Sequence, residues 1–153
     1  MDLILWRHAE AVDLELVGDD MERYLTHKGE KQATRMAAWL DRQLPEGTRI
    51  WSSPAVRAQQ TAKALGRKFK TSSALAPLAT AKDLLDLVGW PTAKGCVLIV
   101  GHQPTLGHVV AGLLGIGSGE CALRKGAAWW LRFREREEGG QAVLLSVQTP
   151  DLL

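Results

Sequence analysis

A chain of 153 residues that is 46% hydrophobic, 24% charged and 6% aromatic has the balance of one globular domain, which excludes a disordered or fibrous chain. Nineteen Lys and Arg against seventeen Asp and Glu leave a net charge of +2, too weak a field to point to nucleic acid or an anionic membrane. The first element is Leu3-Ile4-Leu5-Trp6, a short apolar run cut off by Arg7-His8, as in a strand buried on both faces. Thr26 then caps a helix whose apolar residues Ala33, Met36, Ala37 and Leu40 recur at three and four residues, closed by Pro45-Glu46-Gly47. Arg49-Ile50-Trp51-Ser52 reads as the second strand. Ser53-Pro54 follows as a cap with proline at the first helical position, and the helical pattern runs through Leu65. After a weaker extended segment over 68–72, Thr80 and Asp83 resemble a capping box ahead of a helix that stops by Gly89 and Pro91.

The next strand runs from Cys96 to Val100, and Gly101-His102-Gln103-Pro104 turns it into a helix reaching about Leu114. Two strand-like runs, 127–134 and 142–147, are joined through Glu138-Gly139-Gly140-Gln141, where the glycines suit a tight hairpin. Strands alternating with helices predict an α/β three-layer sandwich: a mainly parallel sheet, helices on both faces, and an antiparallel hairpin at the end. No linker divides residues 1–153, so a single domain is expected. The apolar runs 97–100 and 109–114 are far shorter than the roughly 20 residues of a membrane span. The chain opens directly into a strand-like run, unlike a signal peptide, and Cys96 and Cys121 show neither CxxC nor metal-ligand spacing. A cytoplasmic protein with no metal, no cofactor and no disulfide framework is expected.

Ligands of open α/β sheets gather beyond the C-terminal ends of the strands. Arg7-His8, Ser52-Ser53-Pro54 with Arg57, and Gly101-His102 all follow strands in this way, so three loops bring two histidines and two arginines to one edge. Guanidinium groups and helix N-termini together suit a phosphoryl group. A neutral imidazole there can be an ordinary donor or a nucleophile that takes the phosphoryl group, and spacing does not say which histidine does which.

Leu5-Trp6-Arg7-His8-Ala9-Glu10-Ala11, Leu25-Thr26 with Gly29 and Gln32-Ala33, Ser52-Ser53-Pro54 with Arg57-Ala58 and Gln60-Thr61-Ala62, and Val100-Gly101-His102-Gln103-Pro104 with Leu106-Gly107 resemble the histidine phosphatase superfamily. Within it they are most similar to the SixA-type phosphohistidine phosphatases, in order from about residue 1 to 130 and including Lys125-Gly126. The resemblance implies a phosphoglycerate mutase-like fold. It also implies that His8 is the nucleophile forming a phosphohistidine intermediate, that Arg7, Arg57 and His102 grip the phosphoryl group, and that Arg23 contacts substrate. Two departures stand out: Ala9 replaces the superfamily's glycine, and 66–97 is too short for the helical insertion that accompanies a carboxylic acid in larger members.

An alkoxide leaving group needs that acid, whereas a protonated imidazole leaves from phosphohistidine more readily. The expected function is therefore metal-independent hydrolysis of protein phosphohistidine, on a phosphorelay phosphotransfer domain or another phosphohistidine carrier. A phosphomonoesterase acting on small molecules is the alternative, with Glu10, Asp13, Asp20 or Asp83 as a concealed acid. A non-catalytic phosphate- or phosphohistidine-binding module is the third. Other features read as structural: His108 as a surface or half-buried residue, Gly112, Gly115, Gly117 and Gly119 as a helix stop and loop, and Trp129 and Trp130 as opposite faces of one strand. Arg132, Arg134 and Arg136 read as a solvated device protecting a sheet edge.

Overall fold

The computed structural model describes residues 1–117 and 119–153. Six strands, β1 (Asp2–Arg7), β2 (Arg49–Ser52), β3 (Lys70–Thr71), β4 (Cys96–Gly101), β5 (Ala128–Arg136) and β6 (Gly139–Gln148), form one sheet in the order β3-β2-β4-β1-β5-β6. β1 and β2 each run parallel to β4, and β3 runs parallel to β2, while β5 is antiparallel to β1 and β6 to β5. The helices are α1 (Leu14–Val17), α2 (His27–Gln43), α3 (Val56–Lys63), α4 (Ala81–Val88) and α5 (Thr105–Leu114).

β1 and β4 lie inside the sheet, and their consecutive apolar residues feed two cores because side chains alternate across a strand. Ile4, Trp6, Leu98 and Val100 pack with Met36 and Leu40 of α2 and Ala58 and Ala62 of α3. On the other face, Leu3, Leu5, Val97 and Ile99 pack with Leu84 and Val88 of α4 and Leu106 and Val109 of α5. The expected three-layer sandwich is thereby present. Trp130 joins the first core and Trp129 the second, as strand alternation requires.

The helix ends follow the capping residues. Thr26 Oγ1 accepts from Gly29 N–H, and Thr80 and Asp83 complete a reciprocal capping box on α4. Gly89 and Gly115 end α4 and α5 in the left-handed region, with φ of 72° and 71°. His108 is exposed on α5. No described helix is long and apolar enough to cross a membrane. Cys96 and Cys121 are free thiols.

Three expectations need correction. α3 begins at Val56 with Ala55 as its N-cap, because Ser53 Oγ accepts from Ala55 N–H and makes a turn of 53–55 before the helix starts. The hairpin turns at Glu137-Glu138, since Arg136 already pairs with Gly139. Gly139 takes the positive φ of 106°, while Gly140 lies in the strand where a Cβ would enter the Phe133 ring. Finally, Arg132 does not guard an edge: β5 is covered by β1 and β6, and Asp2 holds Arg132 through Nε and Nη2 at 2.7 and 2.9 Å. Only Arg134 and Arg136, where β5 runs past β1, remain exposed.

Candidate active site

Parallel pairing of β1, β2 and β4 carries their C-terminal ends to one edge, and the residues that leave those ends meet there. His8 leaves β1 with its backbone N–H donating to Gly101 O at 3.1 Å and its carbonyl accepting from Gly126 N–H at 3.1 Å. Its neighbour Ala9 is fully buried outside the left-handed region, and Ala9 N–H donates to Thr61 Oγ1 at 3.1 Å. Thr61 in turn donates to Arg57 O at 2.8 Å, which ties the first turn of α3 to the loop carrying His8. His102 leaves β4, and Arg57 enters from the first turn of α3. These three side chains are almost wholly buried, with 7%, 3% and 3% of their residues' surface exposed for His8, Arg57 and His102.

The hydrogen bonds fix the proton on each ring. His8 Nδ1 lies 2.8 Å from Ala9 O, which can only accept, so Nδ1 carries the hydrogen and Nε2 bears the lone pair. That lone pair faces Arg57 Nε at 3.4 Å. Arg57 Nη2 also approaches His102 Nδ1 at 3.4 Å, which makes that nitrogen the acceptor and leaves His102 Nε2–H to donate to Ser53 Oγ at 2.7 Å. The two imidazoles sit 5.1 Å apart between centroids, tilted by 58°.

Burial pushes the His8 imidazole down to about 3, against the bond to Ala9 and with the help of the neighbouring positive charges. Burial and then the charge of Arg57 bring His102 to about 3 as well. Both rings are therefore neutral at physiological pH. Arg7, at the end of β1, contributes positive potential to both rings and donates Nη1–H to Leu123 O at 2.8 Å. Its Nε is buried without a partner, the one such side-chain nitrogen or oxygen among the described residues. The cluster thus offers cationic donors around an unprotonated imidazole nitrogen, an arrangement suited to an anion that accepts several hydrogen bonds.

The structure brings Arg7, His8, Arg57 and His102 together at this edge. Arg23 is half-buried, with Nε donating to Val12 O at 2.7 Å and Nη1 to Asp20 Oδ1 at 3.1 Å. Among the four carboxylates, Asp20 bonds directly to the cluster: Arg57 donates to its backbone O from Nη1 at 2.6 Å and to its Oδ2 from Nη2 at 3.1 Å. Asp83 is occupied in the α4 capping box, and Glu10 accepts from Thr26 Oγ1 at 3.0 Å. Asp13 caps α1 without a side-chain bond. Sequence reasoning placed Ser53 at this edge and as a cap but gave it no partner there, and it left Thr61, Gln60 and Gln32 without a role. Gln32 accepts from Glu10 N–H at 3.0 Å in the loop after His8, and Gln60 accepts at 2.7 Å from the N–H of Leu25, which bridges to Ala11 of that loop. Their signal was their place within the stretches that carry the family resemblance; their partners lie 22 to 52 residues away in sequence.

The family model described as histidine phosphatase superfamily, branch 1, matches residues 3–87, more than half of the chain. This chain belongs to that superfamily. It is a phosphatase of the hydrolase class, and its resemblance is to the SixA branch. A phosphohistidine phosphatase SixA homolog from Haemophilus influenzae is 32% identical over 130 residues, covering 75% of this chain and 78% of that one. Phosphohistidine phosphatase SixA from Escherichia coli K12 is 32% identical over 121 residues, 74% of each chain. The solved structure of the protein histidine phosphatase SixA complexed with tungstate superposes with a TM-score of 0.77 at 26% identity, covering 99% of both chains. The matched segment of the histidine phosphatase model contains His8 and Arg57, while His102 lies beyond it.

Proposed function

We propose that this histidine phosphatase hydrolyses protein phosphohistidine without a metal ion, through a covalent phospho-His8 intermediate, and that residues 1–153 work as one domain in the cytoplasm. The observation that carries the reading is the His8 tautomer: Nδ1–H donates to Ala9 O, leaving the Nε2 lone pair facing Arg57 Nε at 3.4 Å. His8 Nε2 attacks phosphorus as the bond from phosphorus to the substrate ring breaks, and that ring, already protonated on its other nitrogen, takes the bonding pair and leaves as neutral imidazole. Water then attacks phosphorus, the bond to Nε2 breaks, and inorganic phosphate leaves with His8 restored. Arg7 and Arg57 hold the equatorial oxygens, where charge gathers in the transition state, and His102 joins them when the phosphoryl dianion draws a proton onto its Nδ1; this is the electrostatic work that other phosphatases assign to a metal. Arg23 is a further substrate contact, its guanidinium steadied by Val12 O and Asp20.

The choice of an N–P over an O–P bond rests on Asp20, the carboxylate bonded to the cluster. Burial opposes its charge, but hydrogen bonds from Arg23 and Arg57 outweigh this and hold it below the usual carboxylate range. An acid held ionised is a poor proton donor to an alkoxide, whereas phosphohistidine makes little demand for one. The relatives described as phosphohistidine phosphatases support the same substrate class. The partner is a phosphohistidine-bearing protein such as a phosphotransfer domain of a phosphorelay.

The test is a rate assay with chelator present, comparing a phosphohistidine-bearing protein domain with an alkyl phosphate, and His8→Ala as control. Fast loss from phosphohistidine, abolished by His8→Ala in a protein that still melts cooperatively, is expected. Preference for the alkyl ester would instead establish a phosphomonoesterase. Phosphate binding without turnover of either would establish a non-catalytic module, and wild-type turnover by His8→Ala would overturn the mechanism.

A further inference from the structure

The guanidinium of Arg57 has two hydrogen-bonding edges, and the structure uses them differently. The Nε/Nη2 edge faces the imidazoles, with Nε 3.4 Å from His8 Nε2 and Nη2 3.4 Å from His102 Nδ1. The Nη1/Nη2 edge is taken by one residue, Asp20, whose backbone O accepts from Nη1 at 2.6 Å and whose Oδ2 accepts from Nη2 at 3.1 Å. The other carboxylate oxygen, Oδ1, accepts from Arg23 Nη1 at 3.1 Å, so one carboxylate bridges two arginines. Asp20 sits in the short 3-10 turn Asp20–Glu22, where Asp19 Oδ1 accepts from Met21 N–H at 3.0 Å and braces the turn.

We propose that Asp20 is a positioning residue, which grips the far edge of Arg57 and so presents the Nε/Nη2 edge to the phosphoryl group while holding Arg23 beside it. The proposal rests on the reading of this cluster as a phosphoryl-transfer site. A freely rotating guanidinium would have to be ordered each time an anion arrived, and a two-point grip removes that loss beforehand. The grip engages Nη1 and one side of Nη2 and leaves Nε–H facing His8 Nε2. Asp20 carries a negative charge close to where an anion binds, a cost that makes sense only if orientation outweighs repulsion. The charge of Arg23 offsets part of that repulsion. Asp20 therefore acts through Arg57 and need not touch the substrate.

This makes the direction of the effect diagnostic. Removing Asp20 raises the positive charge beside the pocket, so electrostatics alone predicts tighter phosphate binding; loss of positioning predicts weaker binding. Titration calorimetry with inorganic phosphate compares wild type, Asp20→Ala and Asp20→Asn, alongside kcat and KM on the phosphohistidine-bearing domain. Asp20→Ala is expected to weaken phosphate about fivefold and lower kcat about tenfold. Asp20→Asn, which keeps an acceptor for Nη2, is expected to stay within about threefold of wild type.

Unchanged or tighter phosphate binding in Asp20→Ala with unchanged kcat overturns the proposal, and so does an equal loss in Asp20→Asn. Should Asp20→Ala melt early, Asp20→Ser, too short to reach Nη2, replaces it in the same comparison. The two readings can fail separately. Asp20-dependent phosphate binding without phosphohistidine turnover leaves the positioning role standing and rejects the substrate; turnover indifferent to Asp20 does the reverse.

Discussion

A histidine that is neutral when folded and protonated when unfolded makes stability depend on pH. The folded-state values of His8 and His102, about 3, lie below the ordinary imidazole value of 6.5, so between those limits the unfolded chain binds more protons than the folded one. Stability contributed by the neutral rings is fully present above pH 6.5 and is lost as pH falls toward 3. Each ring adds a slope of about 1.4 kcal/mol per pH unit within that window. Urea unfolding at pH 7, 6 and 5 is expected to show His8→Asn losing less stability on acidification than wild type, and equal slopes would refute the neutral buried ring. The meeting of His8, Arg57 and His102 at one edge was legible because each stands directly beyond a strand or in the first turn of the helix that follows. Asp20 was legible only as one carboxylate among four, since nothing local distinguishes a solvated Asp from one bonded to an arginine 37 residues on.

At the scale of elements, α2 and the loop after β1 meet more closely than a side chain permits. A Cβ on Gly29 would overlap the backbone carbonyl of Glu10, the same oxygen that accepts from Thr26 N–H at 3.0 Å. Glycine inside a helix ordinarily costs about 1 kcal/mol relative to alanine. Gly29→Ala should reverse that sign: it is expected to lower the melting temperature and, by displacing the loop that begins at His8, to reduce phosphatase turnover. A melting temperature above wild type would show that the loop yields. The helices themselves were readable from period and caps, and the Thr80–Asp83 box formed with Asp in the place usually filled by Glu. Boundaries were less readable where a capping residue had another partner. Ser53 resembles an N-cap, but its hydroxyl receives both His102 and Ala55 N–H, so α3 starts later.

Over the whole molecule, one sheet separates two cores, and each is lined by alternate residues of the same strands. Met36 of α2 is buried on one face and Leu106 of α5 on the other. Truncating either to alanine is expected to cost about 2–5 kcal/mol through lost burial and the cavity left behind. Because the sheet lies between the sites, the double variant should equal the sum within about 0.5 kcal/mol. Denaturant unfolding of the four proteins measures this, and a large coupling would mean that the sheet transmits repacking from one core to the other. The same sheet sets the active edge, since β1, β2 and β4 must be parallel neighbours for three separate loops to converge.

Sequence alone determined the alternation of strands and helices, the buried parallel strands, and the placing of Arg7, His8, Arg57 and His102 beyond the strand ends at one edge of the sheet. Those signals are local: apolar period, caps, and polar residues placed where a buried strand ends. Tertiary structure decided what depends on distant partners: that β5 is an interior strand with Arg132 paired to Asp2, which ring nitrogen of each histidine carries its proton, and which carboxylate reaches the cluster. A hydrogen bond between residues far apart in the chain leaves no periodicity in either segment, so its partner becomes known only when the sheet brings the two together.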